Sequence, residues 1–329
     1  MVPAMVATRS LSCEERRAVL IAGPTASGKS RAALAIARAF GGVVINADAM
    51  QCYRELKILT ARPSDADAAQ VPHRLYGHRR AAEPWSAGIF ADEAAAEIAA
   101  ARARRSLPVI AGGTGLYLRA LERGLAPFPP IPDMVRRRWR EALRRDGVAA
   151  LHARLTPEDR LAIRPSDPQR VLRALEIHEV TGEPFSVHHG RHTASGILAG
   201  AGVIRIAIIP DRATLYDQID RRSAAMMDAG ALCEVKDLLA LGLAPTLPAM
   251  RAIGVEALAA HLAGTIDQGD ALARFQRESR NLAKRQLTWI RGQMTDFLTV
   301  ATAEQAVALA SDLLGPHGRP PLDGSPARG

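Results

Sequence analysis

AVLIAGPTASGKSRAALAIA, residues 18–37, is the stretch whose reading decides the fold. AVLIA has no polar break and reads as a strand buried on both faces, while SRAALAIARAF has the spacing of a helix. Between them GPTASGKS, residues 23–30, matches G-x-x-x-x-G-K-[ST]. Gly23 and Gly28 permit the tight turn formed with Pro24, Thr25, Ala26 and Ser27, and let backbone N–H groups approach phosphate oxygens. Lys29 supplies a cation over the phosphates, and Ser30 offers a hydroxyl to Mg²⁺ where the helix begins. The helix dipole favours an anion in the same place. Such a turn calls for at least two linked phosphates and is indifferent to what they are attached to.

Moving outward, VVINAD reads as a second strand, DEAAAEIAAARARR as a helix of strong helix formers, and LPVIAGG as a third strand ending in glycines. This alternation predicts an α/β fold: a phosphate-loop type parallel sheet flanked by helices. After LYLRALERGL, the proline-rich break PFPPIPD opens residues 123–199, which are helical in pattern and read as an all-helical insertion. GVIRIAIIP restores the strand signal, and helices run onward to residue 312. The expected core is therefore 17–122 with 200–312. Residues 1–16 and 313–329 read as flexible tails, the latter because of its Gly and Pro content.

With 329 residues, 48% of them hydrophobic, the chain can bury a sizeable core. Forty-three Lys and Arg against thirty-four Asp and Glu give +9, an imbalance that points to an anionic partner such as nucleic acid. Three cysteines without a C-x-x-C pair argue against a disulfide framework and a zinc knuckle, and suit a reducing cytoplasm. His188-His189 reads as polar loop, and no apolar run reaches the roughly 18 residues of a membrane span.

Asp48 ends the second strand, and in a parallel sheet that places it on the same edge as the phosphate turn. Two jobs are open to it, Mg²⁺ ligand or general base, beside the plainer one of capping the next turn. Thr114, between glycines in AGGTGLYL, has backbone freedom on both sides, suiting either close approach to a ligand or a tight strand-to-helix turn. Arg277, Arg280, Lys284 and Arg291 recur at steps of three, four and seven along one helix face and could track a phosphate backbone. Further basic clusters are Arg136, Arg137, Arg138 and Arg140 around Trp139, and Arg221 with Arg222.

GPTASGKS, NADAMQCYRELKILTARPS, AGGTGLYLRALERGL, DPQRVLRALEI and AKRQLTWIR occur in the order and spacing of the tRNA dimethylallyltransferases, and the chain resembles that family from about residue 18 to residue 297. The resemblance implies transfer of a dimethylallyl group from dimethylallyl diphosphate to N6 of the adenine 3′ of the anticodon, with Mg²⁺ present. It implies that Gly23–Ser30 bind the donor, with Thr25 beside the reaction centre. Asp48 would be the catalytic aspartate, and Arg222 would brace the diphosphate. Asp48, Ala49, Met50 and Gln51 match a segment that touches tRNA, as do Gln169, Arg170, Val171, Leu172 and Arg173, while Thr114 and Arg136 match two further tRNA contacts. Asn46 and Ala49 stand where the family commonly has Ser, Cys52 where it has Val, and Leu59 where it has Gly. The chain is expected to act as a monomer in the cytoplasm, without a membrane. A small-molecule kinase, or a prenyltransferase acting on free adenine nucleotides, would use the same turn and aspartate.

Overall fold

The computed structural model describes residues 17–126, 128–190, 195–200 and 202–315. The chain falls into two compact units, Arg123–Gly196 and the segments on either side of it.

The first half of the larger unit runs β1 (Ala18–Ala22), α1 (Lys29–Ala39), β2 (Gly42–Asn46), α2 (Asp65–Gln70), β3 (His73–Arg74), α3 (Ala87–Ala103), β4 (Leu107–Gly112) and α4 (Gly115–Arg123). The smaller unit contains α5 (Asp133–His152), α6 (Pro157–Ala162), α7 (Pro168–Thr181) and α8 (Phe185–Gly190). The larger unit resumes with β5 (Val203–Ile208), α9 (Arg212–Asp228), α10 (Ala231–Ala240), α11 (Val255–Leu262), α12 (Gln268–Gln293), β6 (Leu298–Val300) and α13 (Ala303–Leu314).

All six strands are parallel, in the order β3-β2-β4-β1-β5-β6. Alternation along each strand divides the core into two layers. Leu20, Ile45 and Ile110 face a layer closed by α3 and α12 through Phe90, Ile98, Phe275 and Ile290. Val19, Ile21, Val44, Val109 and Ile206 face α1 and α13, whose Ala32, Ala33, Ile36, Ala306 and Ala310 pack there. Burial on both faces is why these strands read as unbroken apolar runs.

Two short edge strands depart from the sequence reading. The helices expected to continue to residue 312 are interrupted by β6, which pairs with Ile206–Ile208 although Leu298 and Thr299 are exposed. Three residues with no buried face carry no period for a sequence to display. β3 pairs only at His73 and Arg74 and is equally silent. The expected tails lie outside the described residues except at 313–315, where α13 continues through Leu314. His188 and His189 belong to α8 and are helical in backbone, not loop.

The smaller unit has its own core of Ala142, Leu151, Leu155, Ile163, Val171, Ala174 and Leu175. Gly147, at φ 78°, breaks α5 into two helical stretches. Asp159 is buried yet fully engaged: its carboxylate accepts from Phe185 N–H at 2.9 Å and Ser186 N–H at 2.7 Å, anchoring the start of α8. A carboxylate satisfied by backbone donors is tolerated inside; removing it orphans both. Asp159→Ala should therefore cost about 1–3 kcal/mol and raise amide hydrogen exchange at Phe185 and Ser186, with exchange in β1 and β4 unchanged.

Candidate active site

The carboxyl ends of five strands contribute to one cavity of about 760 Å³. The turn after β1 supplies Thr25 to Ser30, β2 supplies Asp48, and β4 supplies Gly112; Asp211 and Thr214 follow β5, and Thr302 to Glu304 follow β6. Ligands collect at this edge of open parallel sheets. The lining is from the larger unit alone.

The turn is built for an anion. Gly28 stands at φ 87° before α1, and Ala26 takes φ 64°, a left-handed conformation that a non-glycine residue adopts at some cost. A Cβ on Gly23 would lie 2.5 Å from Ser27 Oγ and 2.8 Å from the Ile208 carbonyl oxygen, so only glycine fits. Ser27 Oγ is buried without a hydrogen-bond partner, and a phosphate oxygen in the cavity would supply one. Lys29 donates to the Pro24 carbonyl at 2.7 Å. Burial lowers its pKa to about 8, with Asp48 opposing the shift and Arg222 adding to it. Burial likewise lowers the pKa of Arg222, against the field of Asp48. The Arg222 guanidinium donates to Thr25 Oγ1, which brings together two residues 197 apart in sequence.

Asp48 faces this cavity. Its placement is governed by Asn46, only 1% exposed, whose carboxamide accepts from Asp48 N–H at 2.8 Å and donates to the Asp48 and Leu75 carbonyls at 3.0 Å each. The departure from Ser at this position thus supplies a two-sided clamp on the catalytic candidate's own backbone. Asp48 Oδ1 accepts from Met50 N–H at 3.0 Å, and Ala49 N–H donates to Thr114 Oγ1 at 3.0 Å. The Gln51 amide donates to the Thr60 and Ala61 carbonyls at 2.8 and 3.2 Å. Thr114 therefore acts within the fold as the support of Ala49. Cys52 donates to the Ala49 carbonyl, and burial, reinforced by Asp48, pushes its thiol up to about 12, so it is no nucleophile.

β4 lies between β1 and β2, so the two strands that lead to the phosphate turn and to Asp48 are two strand spacings apart, roughly 10 Å. The chain leaving β2 and side chains of α12 pack over the end of β4, where glycines admit them. A Cβ on Gly112 would lie 2.1 Å from the Ala47 carbonyl oxygen, on Gly113 2.2 Å from Gln286 Nε2, and on Gly115 2.0 Å from Trp289 Nε1. What approaches these glycines is the chain leaving β2 and two side chains of α12. The sequence reading did not point to Gln286, and Asn46 stood out only as a departure from the family's Ser. The signal for Gln286 is visible in hindsight: a glutamine among Phe275, Ala283 and Ile290 on the buried stripe of α12.

The basic residues are placed unevenly. Arg277, Lys284 and Arg291 are exposed on α12, whereas Arg280 is half-buried and paired with Asp220 at 2.5 Å. Arg221 pairs with Asp217. In the smaller unit, Gln169 and Arg170 are exposed on α7, Leu172 packs against the core, and Arg173 lies over Phe128 and beside Glu176. Val171 is 0% exposed, so its side chain cannot reach RNA. Arg136 is half-buried near Asp133, and Arg138 binds Glu179.

Residues 51–293 match the family model described as IPP transferase. A tRNA dimethylallyltransferase of Methylobacterium radiotolerans is 52% identical over 280 residues, covering 84% of this chain and 90% of that protein. One from Azorhizobium caulinodans is 49% identical, covering 85% and 91%. The crystal structure of a full-length tRNA isopentenylpyrophosphate transferase from Bacillus halodurans superposes with a TM-score of 0.63 at 30% identity, covering 91% of this chain and 95% of that one. A eukaryotic dimethylallyltransferase acting on tRNA, 23% identical, shares the fold with a TM-score of 0.75, covering 94% and 81%.

The lowered pKa of Lys29 has a measurable consequence. In the unfolded chain a lysine keeps its proton to about 10.5, so between about pH 8 and 10.5 this group's contribution to stability rises with pH. An anion in the turn should restore the proton. Calorimetry of inorganic diphosphate binding at pH 9, in buffers of different ionisation enthalpy, should show up to about one proton more taken up by the wild type than by Lys29→Arg. The difference should vanish near pH 6.5.

Proposed function

The chain belongs to the tRNA dimethylallyltransferase family, and on that premise we propose that its transfer of a dimethylallyl group from dimethylallyl diphosphate to N6 of the adenine 3′ of the anticodon takes place in the cavity shared by the Gly23–Ser30 turn and Asp48. The observation that carries this reading is that shared cavity, which gives an anion cradle and a carboxylate one common space.

The donor's diphosphate occupies the turn, with Lys29 and Arg222 as its cationic neighbours. The adenine amino group is a weak nucleophile because its lone pair is delocalised into the ring. As the N6 lone pair forms the bond to C1 of the dimethylallyl group, the C1–O bond breaks and diphosphate leaves with the electron pair. Asp48 accepts the N6 proton, a contribution of roughly 10²–10⁴-fold for a well-placed base. Charge developing on the leaving group is stabilised by Lys29, Arg222 and the N–H groups of the turn, the more strongly as bound substrates displace water from the cavity. Ser30 sets a hard oxygen donor at the turn, which suits Mg²⁺ arriving with phosphate oxygens. When bound there, Mg²⁺ would neutralise charge on the diphosphate.

The acceptor adenine leaves its stack to reach the donor, at a cost of a few kcal/mol offset by contacts elsewhere on the tRNA. The exposed basic residues of α12 and the exposed Gln169 and Arg170 of α7 are the groups suited to those contacts. Arg280 is a weaker candidate, since Asp220 already neutralises it. Among the described residues no helix is long and apolar enough to cross a membrane.

Incubation with labelled dimethylallyl diphosphate and unmodified tRNA, followed by nucleoside analysis, should yield N6-dimethylallyladenosine. Transfer to free AMP without tRNA, or ATP turnover in place of prenyl transfer, would contradict the reading. Asp48→Ala should lose 10²–10⁴-fold in turnover while binding an anticodon stem-loop within about threefold. On a log–log plot of affinity against salt, Lys284→Gln combined with Arg291→Gln should reduce the slope by about 1.4–1.8, and Arg280→Gln by clearly less. An unchanged slope in the double variant would remove α12 from the RNA-facing surface.

A further inference from the structure

We infer that Gln286 is a positioning residue that sets the spacing between the phosphate turn and the Asp48 strand end. The inference rests on the reading of Gly23–Ser30 as the donor cradle. Gln286 lies on the buried face of α12, only 8% exposed, and spends both ends of its carboxamide on backbone. Oε1 accepts from Thr25 N–H at 2.8 Å, and Nε2 donates to the Gly113 carbonyl at 3.0 Å. Only one orientation of the amide satisfies a donor on one side and an acceptor on the other, so the side chain is locked against a flip.

From Gly113 the connection continues one residue along the chain to Thr114, whose hydroxyl accepts from Ala49 N–H, next to Asp48. The turn after β1 and the segment after β2 are thus joined by a route that passes over the end of β4, with Gln286 as its one link from a different part of the chain. Gly113 has no side chain because a Cβ there would meet Gln286 Nε2 at 2.2 Å. Thr25 is held from two sides, its N–H by Gln286 and its hydroxyl by Arg222. Gln286 touches neither the cavity nor the exposed face of α12, so its effect on transfer runs through the placement of cradle and base. A misplacement of about 1 Å between reacting groups costs on the order of 10²-fold in rate.

Two substitutions separate positioning from general packing. Gln286→Met keeps the volume and removes both hydrogen bonds. Gln286→Glu is an isostere when protonated, accepting from Thr25 N–H through one oxygen and donating to the Gly113 carbonyl through the other. When ionised it confronts that carbonyl with negative charge. Burial raises the pKa of such a glutamate, so its protonated form is accessible under mildly acidic conditions.

The experiment measures kcat at saturating donor and tRNA across pH, normalised to wild type at each pH and to the folded fraction, together with the affinity for an anticodon stem-loop. Gln286→Met should lose about 10- to 100-fold in kcat at every pH, with stem-loop affinity within about threefold. Gln286→Glu should match that loss at high pH and climb back toward wild type as pH falls. Near-wild-type kcat in both variants overturns the inference. So does a Glu variant that tracks the Met variant at all pH, or a loss confined to stem-loop affinity. Failure of the donor-cradle reading would appear in the wild-type chain itself, as inorganic diphosphate that does not compete with the donor, and it would overturn this inference with it.

Discussion

The arrangement depends on the end of β4 carrying no side chain. Because β4 lies between β1 and β2, a side chain at Gly112 or Gly113 would displace the Ala47 backbone or the Gln286 amide that packs over its carboxyl end. Gly112 lets the Ala47 backbone cross within 2.1 Å of where a Cβ would stand, and Gly113 admits the Gln286 amide almost as closely. At Gly112 the clash would be with backbone, which no rotamer change relieves; at Gly113 it would be with the Gln286 amide, which would have to leave its two hydrogen bonds. Asn46 and Thr114 then fix the direction in which the chain leaves β2.

Electrostatics follow from that packing. Lys29, Arg222 and Asp48 share one cavity, and Asp48 is the carboxylate whose field reaches both cations. Burial lowers both cations' pKa values, and Asp48 only partly offsets this. A diphosphate would bring more negative charge than Asp48 supplies and would offset the desolvation of both cations.

The net charge of +9 is less uniformly usable than its total suggests. Arg280, Arg221 and Arg138 are each paired with a carboxylate of their own unit. Arg277, Lys284 and Arg291 remain exposed on α12, opposite the stripe from which Gln286 reaches the donor loop. One helix therefore carries a solvated basic face and a buried face that shapes the site. Of the run from Gln169 to Arg173, helical geometry commits Val171 to the core, which a linear motif cannot express.

Much was legible in the sequence because it is encoded within a few residues. The Gly23–Ser30 turn follows from glycine spacing between an apolar run and a helical pattern. β1, β2 and β4 declare themselves through nearly continuous apolarity, β5 through an apolar run interrupted only by Arg205, and Asp48 through its place at a strand end. The family resemblance added Arg222 beside Thr25, which the structure brings into hydrogen-bond contact. What only tertiary structure decided has no local signature: that β4 separates β1 from β2, that β3 and β6 complete the sheet with exposed or two-residue strands, and that Asn46 clamps Asp48 from both sides. Above all, the partner of Thr25 lies 261 residues away. Propensity and periodicity record how a segment meets its immediate neighbours along the chain. Which distant backbone a buried amide will bridge is decided when strand order and helix packing bring the two together, and no pattern within either segment carries that information.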